Sequence, residues 1–346
     1  MDLELEDYQR MTAESFRSLF AQHVIPDHLR ELDTAYDAAL LRRFVDMGGV
    51  DLSLPEEAGG GGGRLVDAVL VGMEVGRSLA PIPYADLVVA ARVLARCTGE
   101  LDPGALTVCA VTTSITQDED GRVSGEARWV RGGPDCDSVV VVYNSEVLVM
   151  ATAAPGVRVT PLANLGRLPL AHVEFAGATP VAARSGPEVR PATARAELRV
   201  LRAAELMGAG RRAFELAVEY VGIREQFGRT IGSYQAIQHR LADRLASLDA
   251  AELLLLRAAS YESEDCLGGY AATALLKIAD TAERAAKEAL QLFGGYGYML
   301  EYDIHLYLRF VKTLGVLAMD ASVHDDVLAY ALAERAARRP AQLGAR

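Results

Sequence analysis

The chain of 346 residues is 51% hydrophobic and 24% charged, with a net charge of −12. Its length and apolar content support a large core spread over two or three domains. The acidic balance argues against nucleic acid, which calls for basic patches, but leaves local arginines able to bind an anionic ligand.

The opening Met1-Asp2-Leu3-Glu4-Leu5-Glu6-Asp7 is acidic, unlike a secretory signal, and no apolar run reaches the roughly 18 residues of a membrane span, so the chain reads as cytoplasmic and not membrane-bound. Residues 1–103 read as a helical domain with amphipathic stretches near Glu6–Gln22, Asp33–Asp46 and Leu65–Arg77. The glycines at 59–63 read as a flexible turn; they lack the lysine and the strand–helix context of a phosphate loop. From 104 to 183 the period changes to short valine- and threonine-rich runs: Leu106–Thr113, Ser138–Tyr143, Glu146–Thr152, Val157–Thr160 and His172–Phe175. These predict a middle antiparallel β-barrel or sandwich. Ser185–Thr193 reads as a linker.

Residues 190–346 read as a C-terminal four-helix bundle. Its stripes are Leu206, Ala209, Ala213, Leu216 and Tyr220, then Ile237, Leu241, Leu245 and Leu248, then Leu276, Ala279, Ala282, Ala286, Leu290 and Phe293; a last helix covers Val323–Ala336. The fold class is therefore α+β multidomain. The four cysteines (Cys97, Cys109, Cys136 and Cys266) have no metal-site spacing and read as small buried residues, with no metal.

Two glycine-containing stretches interrupt the bundle. In Ile223-Arg224-Glu225-Gln226-Phe227-Gly228-Arg229, a guanidinium beside an aromatic ring suits a diphosphate next to a flat heterocycle, or is simply a helix C-cap. In Gln291-Leu292-Phe293-Gly294-Gly295-Tyr296-Gly297, paired glycines let a ligand approach the backbone and Gln291 can bond an adenine or ribose edge; alone, the motif is equally a sharp turn.

In this order, about 65 residues apart on a helix–strand–helix layout, the two stretches resemble the acyl-CoA dehydrogenase family. Leu54-Pro55-Glu56-Glu57-Ala58-Gly59-Gly60, Val71-Gly72-Met73-Glu74-Val75-Gly76-Arg77 and Gly125-Glu126-Ala127-Arg128-Trp129-Val130 extend the resemblance over nearly the whole chain. The resemblance implies FAD as cofactor, an acyl-CoA substrate, α,β-desaturation, an electron-transfer acceptor, and dimers of dimers with FAD at a subunit interface. It further implies that Arg224, Phe227 and Gln235 face the diphosphate and adenosine of FAD held mainly by the neighbouring chain. Gln291, Gly294 and Gly295 would complete that pocket.

The family's catalytic glutamate falls on Ala318, leaving Asp320 as the nearest carboxylate. A second family location falls on Leu198, beside Glu197. Glu197 and Asp320 are thus the candidate bases, and Glu301 an ion-pair residue. The flavin-covering pattern is also missing from Ala110–Thr116, and Arg131 stands where a hydroxyl residue is expected after Trp129. A lone tryptophan on a strand reads as core.

The flavin and thioester side is thus depleted while the adenosine side is kept. That asymmetry predicts a subunit of a heteromer whose fuller homologous partner holds FAD, similar to the shorter subunits of dehydrogenases acting on steroid side chains. The alternatives are a self-sufficient homotetramer, a flavin-dependent oxygenase, or a non-catalytic scaffold.

Overall fold

Apolar residues recurring every three or four positions fold the N-terminal third into helices. The computed structural model describes residues 5–32, 36–97, 106–111, 114–143, 146–185, 190–261, 264–320 and 322–337. Its first helices are α1 (Asp7–His23), α2 (Pro26–Glu31), α3 (Ala38–Asp46), α4 (Leu65–Ser78) and α5 (Tyr84–Cys97). α1, α3 and α4 answer the three expected stretches. α3 starts late, at the Asp37 cap, whose carboxylate accepts the N–H of Ala39 and Leu40 at 2.9 Å. The other two helices escape periodicity: α2 buries no residue, and α5 is buried nearly all round. The glycine tract is not free to flex, because the N–H groups of Gly60, Gly61, Gly62 and Gly63 donate to Pro55, Asp51, Leu54 and Leu52.

The middle of the chain forms β1 (Thr107–Val111), β2 (Ile115–Gln117), β3 (Val123–Arg131), β4 (Ser138–Tyr143), β5 (Glu146–Ala151), β6 (Val157–Leu162), β7 (Leu170–Ala178) and β8 (Ala182–Ser185). The expected barrel does not close. Two open four-stranded sheets form instead, ordered β1-β4-β5-β8 and β2-β3-β7-β6. Nor are they wholly antiparallel: the chain leaves β1 for the second sheet and returns to lay β4 parallel beside it. The residues expected as a linker contribute the end of β8 and the start of the next helix; 186–189 lie outside the described residues.

Among the described residues the C-terminal part holds five α-helices rather than four: α6 (Pro191–Ile223), α7 (Gln235–Ala259), α8 (Glu264–Phe293), α9 (Ile304–Ala318) and α10 (Ser322–Ala337). A small hairpin, β9 (Glu225–Gln226) with β10 (Arg229–Thr230), separates α6 from α7. α6 and α4 cross so closely that a Cβ on Gly76 would lie 1.8 Å from the Glu205 carbonyl, and one on Gly208 equally close to that of Met73. This crossing fixes α6, and with it the arginines and glutamates described below.

The stripe on α6 is buried apart from the partly covered Leu216, and that on α8 from Ala282 to Phe293. The stripe on α7 is not: only Leu248 is buried, and Leu245 is 42% exposed. Among the described residues the first half of this helix is only partly covered, at Ile237 and Leu241. Cys109 and Cys136 are buried as expected, and burial pushes the Cys136 thiol up to about 12; Cys97 is partly exposed. The side chain of Cys266 lies outside the described residues.

Candidate active site and cofactor cradle

The two glycine-containing stretches come together in space. α6 ends at Ile223, and the N–H of its C-cap, Arg224, donates to the Tyr220 carbonyl. The β9–β10 hairpin turns at Phe227 (φ 56°) and Gly228 (φ 79°), the left-handed pair of a two-residue hairpin turn. This backbone costs a phenylalanine about 1–2 kcal/mol, yet its ring is 94% exposed. Across a depression of about 500 Å³, α8 ends in the tight turn Gly294–Tyr298. The Arg224 guanidinium lies 5.0 Å above the Tyr296 ring, and Tyr220 stacks on Phe293 at 4.1 Å.

Arg224, Gly294 and Gly295 line this depression. Gln291, Gln235 and Phe227 do not; Gln291 lies in the last turn of α8, Gln235 opens α7, and Phe227 tips the hairpin, all three exposed. A Cβ on Gly294 or Gly295 would meet nothing within 4 Å, so internal packing does not require the absent side chains. The chemistry fits one end of a dinucleotide: an aromatic floor, a free backbone approach and a guanidinium for diphosphate. Ile223, Tyr298 and Leu300 leave further apolar surface exposed around it.

The second place is a cleft of about 480 Å³ between the β sheets, α6 and the end of α9. Trp129 stands in its wall, 54% exposed with φ 60°, where the β3–β7 pairing breaks register between Ala127 and Val130. The bulge turns the ring outward, which overturns the expectation of a core tryptophan.

Two residues on, Arg131 points into the interior and is 1% exposed. It donates to Glu205 and, at 3.0 Å, to the Ile82 carbonyl. Glu205 also accepts the Ala85 N–H at 3.1 Å, and burial raises its pKa more than Arg131 lowers it. The hydroxyl that the family pattern places here is thus replaced by a cation turned away from the cleft.

The candidate bases are separated. Glu197 does not line the cleft; it is 2% exposed and lies between Arg92, at 2.9 Å, and Arg96. Burial pushes its pKa up, and the two guanidiniums outweigh burial and hold it below the ordinary value. Asp320 does line the cleft, but its Oδ1 accepts from the N–H of Ser322 at 2.8 Å, the Ser322 hydroxyl at 2.5 Å and Arg199 at 3.3 Å. Burial raises its pKa, and these donors together lower it further. A carboxylate so held is a poor proton acceptor. Ala318 is buried at the cleft, and Glu301 is exposed without an ion pair among the described residues, contrary to expectation.

Sequence reasoning missed the arginines. Arg195, Arg199 and Arg202 line the cleft from one face of α6, and their spacing of four and three was the available signal. It also missed Glu126, which accepts from Arg128 at 2.5 Å and contacts His172 Nε2 at 2.7 Å at the cleft edge.

Two family models match the chain: the acyl-CoA dehydrogenase N-terminal domain over residues 6–100 and the C-terminal domain over 192–338. Acyl-CoA dehydrogenase IpdE2 of Mycobacterium tuberculosis is 33% identical, covering 87% of this chain and 90% of its own length. The chain belongs to the acyl-CoA dehydrogenase family. It is thereby an oxidoreductase-family protein, and its relatives among solved structures share the fold end to end. A chain of the ChsE4-ChsE5 complex of Mycobacterium tuberculosis aligns over 99% of this chain and 100% of its own length, with TM-score 0.86 and 27% identity. A Tcur3481-Tcur3483 steroid acyl-CoA dehydrogenase aligns over 96% and 99%, with TM-score 0.85 and 24% identity. No helix among the described residues is long and apolar enough to cross a membrane.

Proposed function

We propose that this acyl-CoA dehydrogenase family chain is one of two homologous, non-identical subunits, and that it supplies half of a site whose FAD is held mainly by the partner. The reaction is α,β-desaturation of an acyl-CoA thioester, with an electron-transfer acceptor downstream. One contrast carries the reading: the cradle of Arg224, Gly294 and Gly295 is open, whereas in the chain's own cleft Arg131 replaces the hydroxyl and is committed to Glu205. The likeness to the ChsE4-ChsE5 complex supports the heteromer, and that to a steroid dehydrogenase a bulky acyl group.

FAD, when bound, supplies the hydride acceptor. This chain's residues bind and shield it: Arg224 meets the diphosphate, Gly294 and Gly295 admit the adenosine, Gln291 and Gln235 bond its polar edge, and Phe227 anchors in the partner.

The deciding measurement is flavin released per chain. The chain purified alone should carry almost none, and co-purification with a fuller homologue should give about one FAD per pair of chains. Near-stoichiometric flavin on the chain alone sinks the reading. Two substitutions refine it. Gly294→Ala is expected to cost the isolated chain about 1 kcal/mol, from its positive φ, and Gly295→Ala close to nothing, by denaturant titration. Both should weaken flavin retention in the complex about tenfold or more, because the added methyl enters the ligand's space.

A self-sufficient dehydrogenase is favoured by one observation, the position of Asp320 on the cleft. Asp320→Asn is expected to leave turnover of the complex within about twofold of the parent. A collapse of kcat would instead make Asp320 the base.

A further inference from the structure

The cleft between the β sheets, α6 and the end of α9 keeps the form of a ligand site, although both candidate bases are committed elsewhere. Its volume of about 480 Å³ falls in the usual range for small molecules, about 300–1,000 Å³. Ala110, Val130, Leu198, Leu317 and Ala318 give it an apolar wall, and the ring of Trp129 stands open beside them. We propose that this cleft binds a small organic acid, an apolar body with one carboxylate, whose head is held by Arg195. The inference rests on the half-site reading, under which the chain's own cleft takes no flavin.

Unused hydrogen-bonding capacity, and not surplus charge, selects the head group. Three of the four arginines that line the cleft are taken. Arg128 holds Glu126 at 2.5 Å, Arg202 holds Asp86 at 2.7 Å, and Arg199 holds Asp326 at 2.6 Å and Asp320 at 3.3 Å. Arg195 differs. It is partly buried on the same face of α6, and none of its N–H donors meets an acceptor among the described residues. Asp320 is near enough to feel its charge, yet the two form no ion pair; the Asp320 Oδ1 accepts from Ser322 and Arg199 instead.

A planar guanidinium with its donors free matches both oxygens of a carboxylate at once. Trp129 fixes the other end of the ligand. Its φ of 60° is set by the bulge between Ala127 and Val130, and such backbone costs about 1–3 kcal/mol. The ring this strain turns outward meets no other ring and no cation among the described residues. An indole held in this way offers stacking area to an apolar body. Asp320 and Glu197 are both held by guanidiniums, so the cleft binds such an acid without acting on it.

The test is equilibrium dialysis of the full-length chain, at neutral pH and fixed ionic strength, against phenylbutyrate and its uncharged amide. The acid should bind at least about tenfold more tightly than the amide, the worth of a charge-assisted hydrogen bond. Arg195→Gln should bring the acid down to the level of the amide, and Arg195→Lys should restore part of the preference. Trp129→Ala should weaken acid and amide alike, by about threefold to tenfold, and leave the preference intact. Equal binding of acid and amide, no binding of either, or a preference that survives Arg195→Gln overturns the proposal. Flavin released from the same sample separates the two failures. Near-stoichiometric flavin on the chain alone sinks the half-site reading and this site with it, whereas a flavin-free chain indifferent to the carboxylate sinks only the site.

Discussion

Arg131→Ala is expected to lower the unfolding free energy by about 3–5 kcal/mol, the usual cost of breaking a fully buried ion pair. Arg131 is 1% exposed and Glu205 is fully buried, so removal of the guanidinium leaves a carboxylate with only the Ala85 N–H for company. It also leaves the Ile82 carbonyl without its donor. The loss arises from stranding one charge, and not from a large net value of the pair. The double variant Arg131→Met with Glu205→Leu should therefore recover most of the stability. Chemical denaturation of the parent, both single variants and the double variant closes the cycle. A double variant as unstable as Arg131→Ala would show that the pair, or the space it fills, contributes net stability.

The second large effect is at Glu197, where one buried carboxylate is shared by Arg92 and Arg96. Glu197→Gln leaves both guanidiniums without a counter-charge and is expected to cost about 3–5 kcal/mol near neutral pH. The pH dependence follows from the lowered folded-state pKa. The contribution of Glu197 is fully present above its unfolded pKa of about 4.3, and is lost as pH falls through the lower folded value. The gap between parent and Glu197→Gln should thus be constant from neutral pH down to about 5 and close only in stronger acid. A gap that is absent at neutral pH would mean that the carboxylate is uncharged there. Since Glu197 serves α5 and α6 rather than the cleft, its loss should reduce turnover of a complex only in proportion to folded protein.

The parts of this fold that were legible in the sequence are those written locally. α1 and α4 follow from apolar spacing, β4 was bounded to the residue by its valine run, and the two glycine-containing motifs did converge on one depression. Pairings between distant residues were not legible. The strands of the middle module were visible one by one, but nothing in the β1 sequence says that β4, and not β2, lies beside it. Glu197 looked like a candidate base because Arg92 and Arg96, 105 and 101 positions away, are invisible from its own helix. Periodicity showed that α7 has an apolar stripe, yet cannot say whether the same chain covers it. Trp129 was misread because a single register shift decides which side of a strand a side chain takes.

Trp129 is the chain's one tryptophan, and it stands half exposed in the cleft wall. All the red-edge emission of this chain therefore originates at a single known point. Excited selectively, that indole acts as a fixed lamp inside the molecule. Its wavelength reports the wetness of the cleft, and energy transfer to a flavin carried by a partner would report how far away that flavin sits.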